Sequence, residues 1–326
     1  MGGSGLKPRQ GLVFFWIAAF FLAFLLALMV GSGQIGWTDV FGSESTLGKS
    51  MFWKLRFPRA VAAAAVGGGL ALVGAVLQSS LRNPLADPFL LGVSSAAAVG
   101  AVLALATGMP GLRFPLSIAS ALVCLIFLDK VAYRKGVFST HNLLLAGVAV
   151  TYLLSAATAV IVLLADPTRT RGLLFWLMGG FSALDVTSTA VCAIMVVVVA
   201  AWMQFEHDKL DTLALGDESA HILGLRPNRF RRALFLGSAV VVGLTVATAG
   251  GIGFVGILVP HIARLFCGVS HKTLLPLCLL GGATLTLLSD TFARTVISPR
   301  EIPVGLLTAL MGAPFFLHQL RRGQGF

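Results

Sequence analysis

The sequence predicts an all-α polytopic membrane protein, one transmembrane domain over residues 1–326 with about ten spanning helices. Three observations carry that prediction. Only 11% of the residues are charged while 57% are hydrophobic, and mean hydropathy is +0.91; soluble domains carry roughly 25% charged residues. Apolar runs long enough to cross a bilayer recur from end to end. Only one long polar segment interrupts them, at 205–232.

Residues 1–11 form a polar tail with Lys7 and Arg9, and 12–30 is the first span. That run is long for the apolar core of a signal peptide and no Ala-x-Ala site follows, so it reads as an uncleaved helix. The loop at 31–56 contains a GKS triplet at 48–50. A phosphate-binding loop needs glycine where Ser43 stands, and no strand precedes it. The triplet is therefore no nucleotide site, and the chain carries no visible ATPase of its own.

Further spans are expected at 58–81, 88–107, 114–132, 142–165, 186–204, 233–250, 254–268, 273–290 and 302–320. Gly67, Gly68, Gly69 and Gly74 give the second span a surface that allows close helix approach, the mark of a dense bundle in lipid. The span at 254–268 is short. It follows the glycine-rich run AGGIGFVG (249–256) and contains Pro260, His261 and Arg264. Irregular backbone at membrane depth needs cover from protein or a watery cavity, so this segment is either a broken helix beside a transport path or a plain kink.

The segment 205–232 is organised around LALGDESAHILGL (213–225), a short helix with its own start and stop. Asp217 is the expected N-cap, Glu218 favours the positive helix end, and Gly224 can supply the left-handed residue after the last turn. Ala220, Ile222 and Leu223 give it an apolar surface. It is either a docking site or a solvated connector. Lys and Arg counts orient the chain. With the N-terminus cytoplasmic, Lys49, Lys54, Arg56, Arg59, Arg113, Arg169, Arg171, Arg294 and Arg300 lie outside, and the other 15 of 24 lie inside. Both termini and the loop at 205–232 are then cytoplasmic. The outer surplus, only partly offset by Asp39, Glu44, Asp166, Asp185 and Glu301, would steer an acidic partner or anionic solute. Any single one of these cations could instead snorkel from a helix end. Arg56 and Arg59, three residues apart at one helix mouth, fit a partner better.

These features exclude several functions. The net charge of +11 sits on a membrane protein and does not point to nucleic acid. Cys124, Cys192, Cys267 and Cys278 fall in apolar runs without metal-ligand spacing. No nucleophile–base pair or metal cluster emerges; His261 and Arg264 are too little for an intramembrane enzyme. Acidic groups are nearly absent from the spans, since Asp129, Asp185 and Asp290 sit near helix ends. That disfavours a proton- or sodium-coupled carrier, the alternative of another class.

From about residue 50 onward the chain closely resembles the permease subunits of ABC importers for iron-siderophores, haem and cobalamin. The resemblance rests on RFPR (56–59), Gln78, NPLADP (83–88) and LGVS (91–94). It continues through LLLAGVAV (143–150), FWLMGGF (175–181), LALGDESAHILG (213–224), GGIGFVGILVPHIARL (251–265), HKTLLP (271–276), DTFAR (290–294) and EIPVGLLTALMGAPFF (301–316). It implies the type II ABC importer permease fold, in the bacterial inner membrane, working as a homodimer with two ATPase subunits and a periplasmic substrate-binding protein. ATP and Mg would sit on those ATPases, and no cofactor on this chain. By resemblance the cytoplasmic helix enters a cleft of the ATPase, through Leu213, Leu215, Gly216, Asp217, Glu218, Ala220, Leu223 and Gly224. Arg56, Arg59 and Arg294 would meet glutamates of the binding protein. Ser139, Thr140, His141 and Asn142 would form the cytoplasmic gate, with His141 bulkier than a small polar residue. Arg169 and Arg171 fit a role in attracting ligand carboxylates, a docking role or a solvated loop. The expected cargo is an iron chelate, siderophore or haem, with cobalamin the alternative.

Overall fold

The computed structural model describes residues 8–31, 46–134, 137–182 and 184–321. Lys7, Asp39, Glu44, Lys135, Arg322 and most of the expected tail lie outside them. The chain begins with α1 (Pro8–Met29), then α2 (Thr46–Met51), which runs through a π-helical stretch (Phe52–Arg56) into α3 (Phe57–Leu81). Next come α4 (Val93–Ala106) and α5 (Arg113–Ala132). A two-residue strand pair, β1 (Tyr133–Arg134) and β2 (Val137–Phe138), then leads into α6 (Thr140–Leu164). The second half holds α7 (Pro167–Leu177), α8 (Val186–Phe205), α9 (His207–Ala214), α10 (Asp217–Ile222) and α11 (Pro227–Ala249). It ends with α12 (Val255–Cys267), α13 (His271–Ala293) and α14 (Val304–Arg321).

Ten of these helices stand at the ten expected spans. Seven are long and apolar enough to cross a membrane, and α4, α12 and α14 are shorter apolar helices. At 1.5 Å per residue the 14 residues of α4 cover only about 21 Å of a core about 30 Å thick. The expected helix start at 88 moves to Val93 because 83–92 turns instead. Pro84 and Pro88 have no N–H to give a helix, and Asn83 Oδ1 and Asp87 Oδ1 take the Leu85 and Phe89 amides, both at 2.8 Å. Two segments expected as loops are partly helical: 46–56, and 167–177, where Asp166 caps α7 ahead of Pro167. The interrupted segment is one continuous helix, α12, with Pro260 inside it and irregular backbone at its two ends, Phe254 and Gly268.

The central helix is α3, packed against α13, α8, α11 and α12. Glycine makes this possible where backbones touch. A Cβ on Gly74 would lie 2.0 Å from the Gly256 carbonyl oxygen, and one on Gly282 would lie 2.2 Å from that of Gly67. Hydrogen bonds add to this packing between the same helices. The Thr286 hydroxyl donates to the Ala63 carbonyl at 2.7 Å, and Gln78 Nε2 donates to the Gly256 carbonyl at 2.9 Å. In lipid such contacts, rather than water expulsion, hold helices together. The helices α1 and α6 show the opposite pattern: only 17% and 11% of their apolar windows are buried.

Candidate functional sites at the two ends of the bundle

The residues singled out from sequence gather at opposite ends of the bundle. At one end lie the segment 205–232, the last turn of α3, the start of α13 and the start of α6. The expected single helix over 213–225 is two helices here, a correction with a clear cause. Leu213 is buried near the end of α9, and Gly216 at φ +113° breaks the run before α10 starts at Asp217. Asp217 does not cap that helix. Its Oδ1 lies 2.5 Å from Nη2 of Arg231, which is buried and needs a counter-ion. Gly224 does adopt the left-handed conformation, φ +83°, and closes α10 as expected. Ala220 is fully buried, whereas Leu215, Ile222 and Leu223 are 65%, 79% and 64% exposed, with Glu218 exposed beside them. The loop thus presents three exposed apolar side chains, Leu215, Ile222 and Leu223.

The segment 139–142 stands next to it. Ser139 caps α6, its Oγ accepting the Asn142 amide at 3.2 Å, and Thr140 Oγ1 donates to the Leu81 carbonyl at 3.2 Å. His141 is exposed and Asn142 half-buried. Two residues far apart in sequence, Asp211 and His271, join the α3 turn here. His271 sits 2.6 Å from Ser79 Oγ through Nε2 and 2.5 Å from Asp211 Oδ1 through Nδ1, while its own amide donates to Asp211 at 2.9 Å. The order of groups is that of a nucleophilic relay. Yet His271 is 2% exposed, and Ser79 also lies 2.9 Å from the Ala75 carbonyl within its own helix. The row therefore fastens α9 to α3 and α13. Among the described residues His207, Asp208 and Asp211 also bring ligand-type atoms within 4.8 Å of one another, though Asp211 is already engaged by His271.

At the other end Arg56, Arg59 and Arg294 come together, but turned inward. Arg59 Nε spans both oxygens of Asp290 at 3.1 and 3.0 Å, and its two terminal nitrogens each reach a Glu301 oxygen at 2.9 Å. Arg56 Nη1 donates to the Leu28 and Met29 carbonyls at 2.9 and 2.8 Å. Arg294 donates to the Ala27 carbonyl and lies 3.6 Å from Asp290. Arg56 and Arg294 are 7% and 5% exposed. Lys54, Arg56, Arg59, Arg294 and Glu301 line a cleft of about 240 Å³. Arg169 and Arg171 are exposed on α7 and stand apart from this cluster, Arg169 donating to the Ala106 carbonyl at 3.2 Å. The four cysteines are buried thiols.

Comparison with known proteins places this architecture. Residues 19–322 match the model of the FecCD transport family. The chain is 40% identical over 308 residues, 93% of its length and 92% of the relative's, to the vitamin B12 import system permease protein BtuC of Citrobacter koseri. It is 38% identical over 317 residues to the protein of that name in Klebsiella pneumoniae, covering 95% and 94% of the two chains. Among solved structures it is similar to a metal-chelate type ABC transporter in an inward-facing conformation. The TM-score is 0.86 at 29% identity, over 96% of this chain and 99% of that one.

Proposed function

The chain belongs to the FecCD transport family, and from that premise we propose that it carries a cobalt–corrinoid or related metal chelate inward across the bacterial inner membrane. It is the transmembrane permease of an ABC importer with the type II fold. The cobalamin alternative leads over the iron chelate because vitamin B12 import permeases align at 40% identity over 93% of the chain. That full-length similarity is the observation that carries the proposal.

Two copies of the permease would enclose the path, two ATPase subunits holding ATP and Mg would supply the energy, and a periplasmic binding protein would deliver the cargo. The termini and the loop at 205–232 would be cytoplasmic, in keeping with the Lys and Arg bias. The exposed Leu215, Ile222 and Leu223 would enter the ATPase. Arg56, Arg59 and Arg294 would receive carboxylates of the binding protein, with Arg59 exchanging Glu301 for the partner's acid. Ser139, Thr140, His141 and Asn142 would narrow the cytoplasmic exit. Closure of the ATPases would bias the permease between outward- and inward-open states.

Reconstitution with the cognate ATPase and binding protein tests this. ATP-dependent uptake of cyanocobalamin, and tight binding of it by the periplasmic protein over haem and a ferric siderophore, is the expected outcome. Uptake of a ferric chelate instead would return the cargo to iron. Uptake of none of the three would overturn the cargo class.

A further inference from the structure

Arg231 is the largest of the fully buried side chains and had no role in the sequence reading. It sits in the first turns of α11, 2% exposed, and it touches three separate structures. Its Nη2 lies 2.5 Å from Asp217 Oδ1 at the start of α10. Its Nε donates to the Ser80 carbonyl, in the last turn of α3, at 3.2 Å. Its guanidinium carbon lies 4.0 Å from the centre of the Phe138 ring. Phe138 directly precedes Ser139, and Thr140 is bonded to the α3 residue next to Ser80, Leu81. One planar cation thus joins the docking helix, the end of the central helix and the threshold of the gate.

We propose that Arg231 is the positioning residue that passes displacement of α10 to the 139–142 gate, a role that rests on the function proposed above. A buried cation is costly unless paired, so a shift of Asp217 must either carry Arg231 along or leave it uncompensated. The guanidinium carbon lies over the Phe138 ring, so its movement displaces that ring and with it the start of α6. Lysine keeps the charge but loses the planar fork and its contact with the ring, so it breaks the linkage while keeping an ion partner for Asp217.

The test uses the full complex of permease and ATPase in inside-out vesicles, with His141→Cys as reporter and a membrane-impermeant maleimide. The four native cysteines are buried and give a low background. In the parent complex the labelling rate should change at least about 5-fold between ATP-bound and nucleotide-free states, the low end of coupling between linked sites. Arg231→Lys and Phe138→Leu should each bring that ratio below about 2-fold while ATP hydrolysis continues. Arg229→Lys, exposed on the same helix, should leave it unchanged. A full ratio in Arg231→Lys overturns the proposal. If that variant does not assemble, a full ratio in Phe138→Leu overturns it equally. A structural defect alone would lower hydrolysis and assembly and keep the ratio. Absence of any ATP effect in the parent complex would overturn the gate and coupling assignments themselves, a failure visible before any Arg231 variant is made.

Discussion

Replacing Glu301 with Gln should tighten docking of the binding protein, whereas replacing Asp290 with Asn should weaken the permease itself. Both carboxylates hold Arg59, at the same 2.9 Å from its Nη2. They differ in surroundings. The Asp290 side chain is 1% exposed and also faces Arg294, so its loss leaves the buried Arg294 and the half-buried Arg59 short of an anion. Breaking a buried pair from one side costs about 3–5 kcal/mol. Glu301 is 34% exposed, and pairs of that kind contribute about 0.2–1 kcal/mol.

A docking acid has to displace Glu301 from the open side of Arg59. With Glu301 neutral, that competition and its repulsion disappear, and up to about 1 kcal/mol returns to docking. That corresponds to about a 5-fold lower Kd. Thermal unfolding of the solubilised permease measures the first effect. Titration of the binding protein against permease in nanodiscs at two salt concentrations measures the second, which should be larger at low salt. Docking that is unchanged or weaker in Glu301→Gln would refute the exchange. An Asp290→Asn variant no less stable than Glu301→Gln would refute the assignment of the buried pair.

Three other outcomes are expected. Leu223→Asp puts a charge on the exposed apolar trio and should cost ATPase binding on the order of 2 kcal/mol, or about 30-fold in affinity, with normal amounts of permease in the membrane; co-purification of ATPase at parental stoichiometry and affinity would contradict this. Gly74→Ala places a Cβ 2.0 Å from the Gly256 carbonyl oxygen, where only backbone can give way, and should destabilise by about 1–3 kcal/mol or more. Gly172→Ala in α7, with nothing within 4 Å, should be neutral or gain up to about 1 kcal/mol of helix propensity, and equal melting temperatures for the two would be the contrary result. Hydrogen bonds from the Thr168 hydroxyl and amide at Asp166, and from the Ser188 amide and hydroxyl at Asp185, hold these carboxyls below the usual range. Their lowered folded-state values mean the caps act fully above the unfolded value of about 3.9 and are lost as pH falls through the lower folded value. Exchange at the Thr168 and Ser188 amides, corrected for intrinsic rate, should rise only in that acid range, and a rise between neutral and mildly acid pH would contradict the capping role.

The helices at the ten expected spans were legible because long apolar runs have few other readings. Their exact lengths were not, because hydropathy does not register where backbone turns. Phe89, Leu90 and Leu91 are as apolar as the helix that follows, yet Pro84 and Pro88 and the side chains of Asn83 and Asp87 set a turn there. The stop of α10 at Gly224 was legible, but the break at Gly216 was not, and Asp217 pairs instead with a buried arginine 14 residues on. The three outer arginines were recognisable as a set. The ion pairs of Arg59 were not, since Asp290 and Glu301 are 231 and 242 residues from it in sequence. The links Ser79–His271–Asp211 and Phe138–Arg231 left no local signal at all, because they exist only once four helices converge on the last turn of α3.

The packing also bears on where a wide chelate would pass. Along its seams with α12 and α13, α3 comes to backbone contact through Gly74–Gly256 and Gly67–Gly282, which leaves no lumen there for a corrinoid or siderophore. The helix that begins in the gate segment is α6, and only 11% of its apolar window is buried. Tyr152 and Leu153 on it are 75% and 68% exposed. Under the proposed function, a path opening at Ser139, Thr140, His141 and Asn142 would follow an outer face of the chain rather than its core, and such a face would become a closed conduit only when a second surface covers it. Under the proposed function a symmetric second copy would supply that surface, with residues 139–142 of the two copies opposite one another.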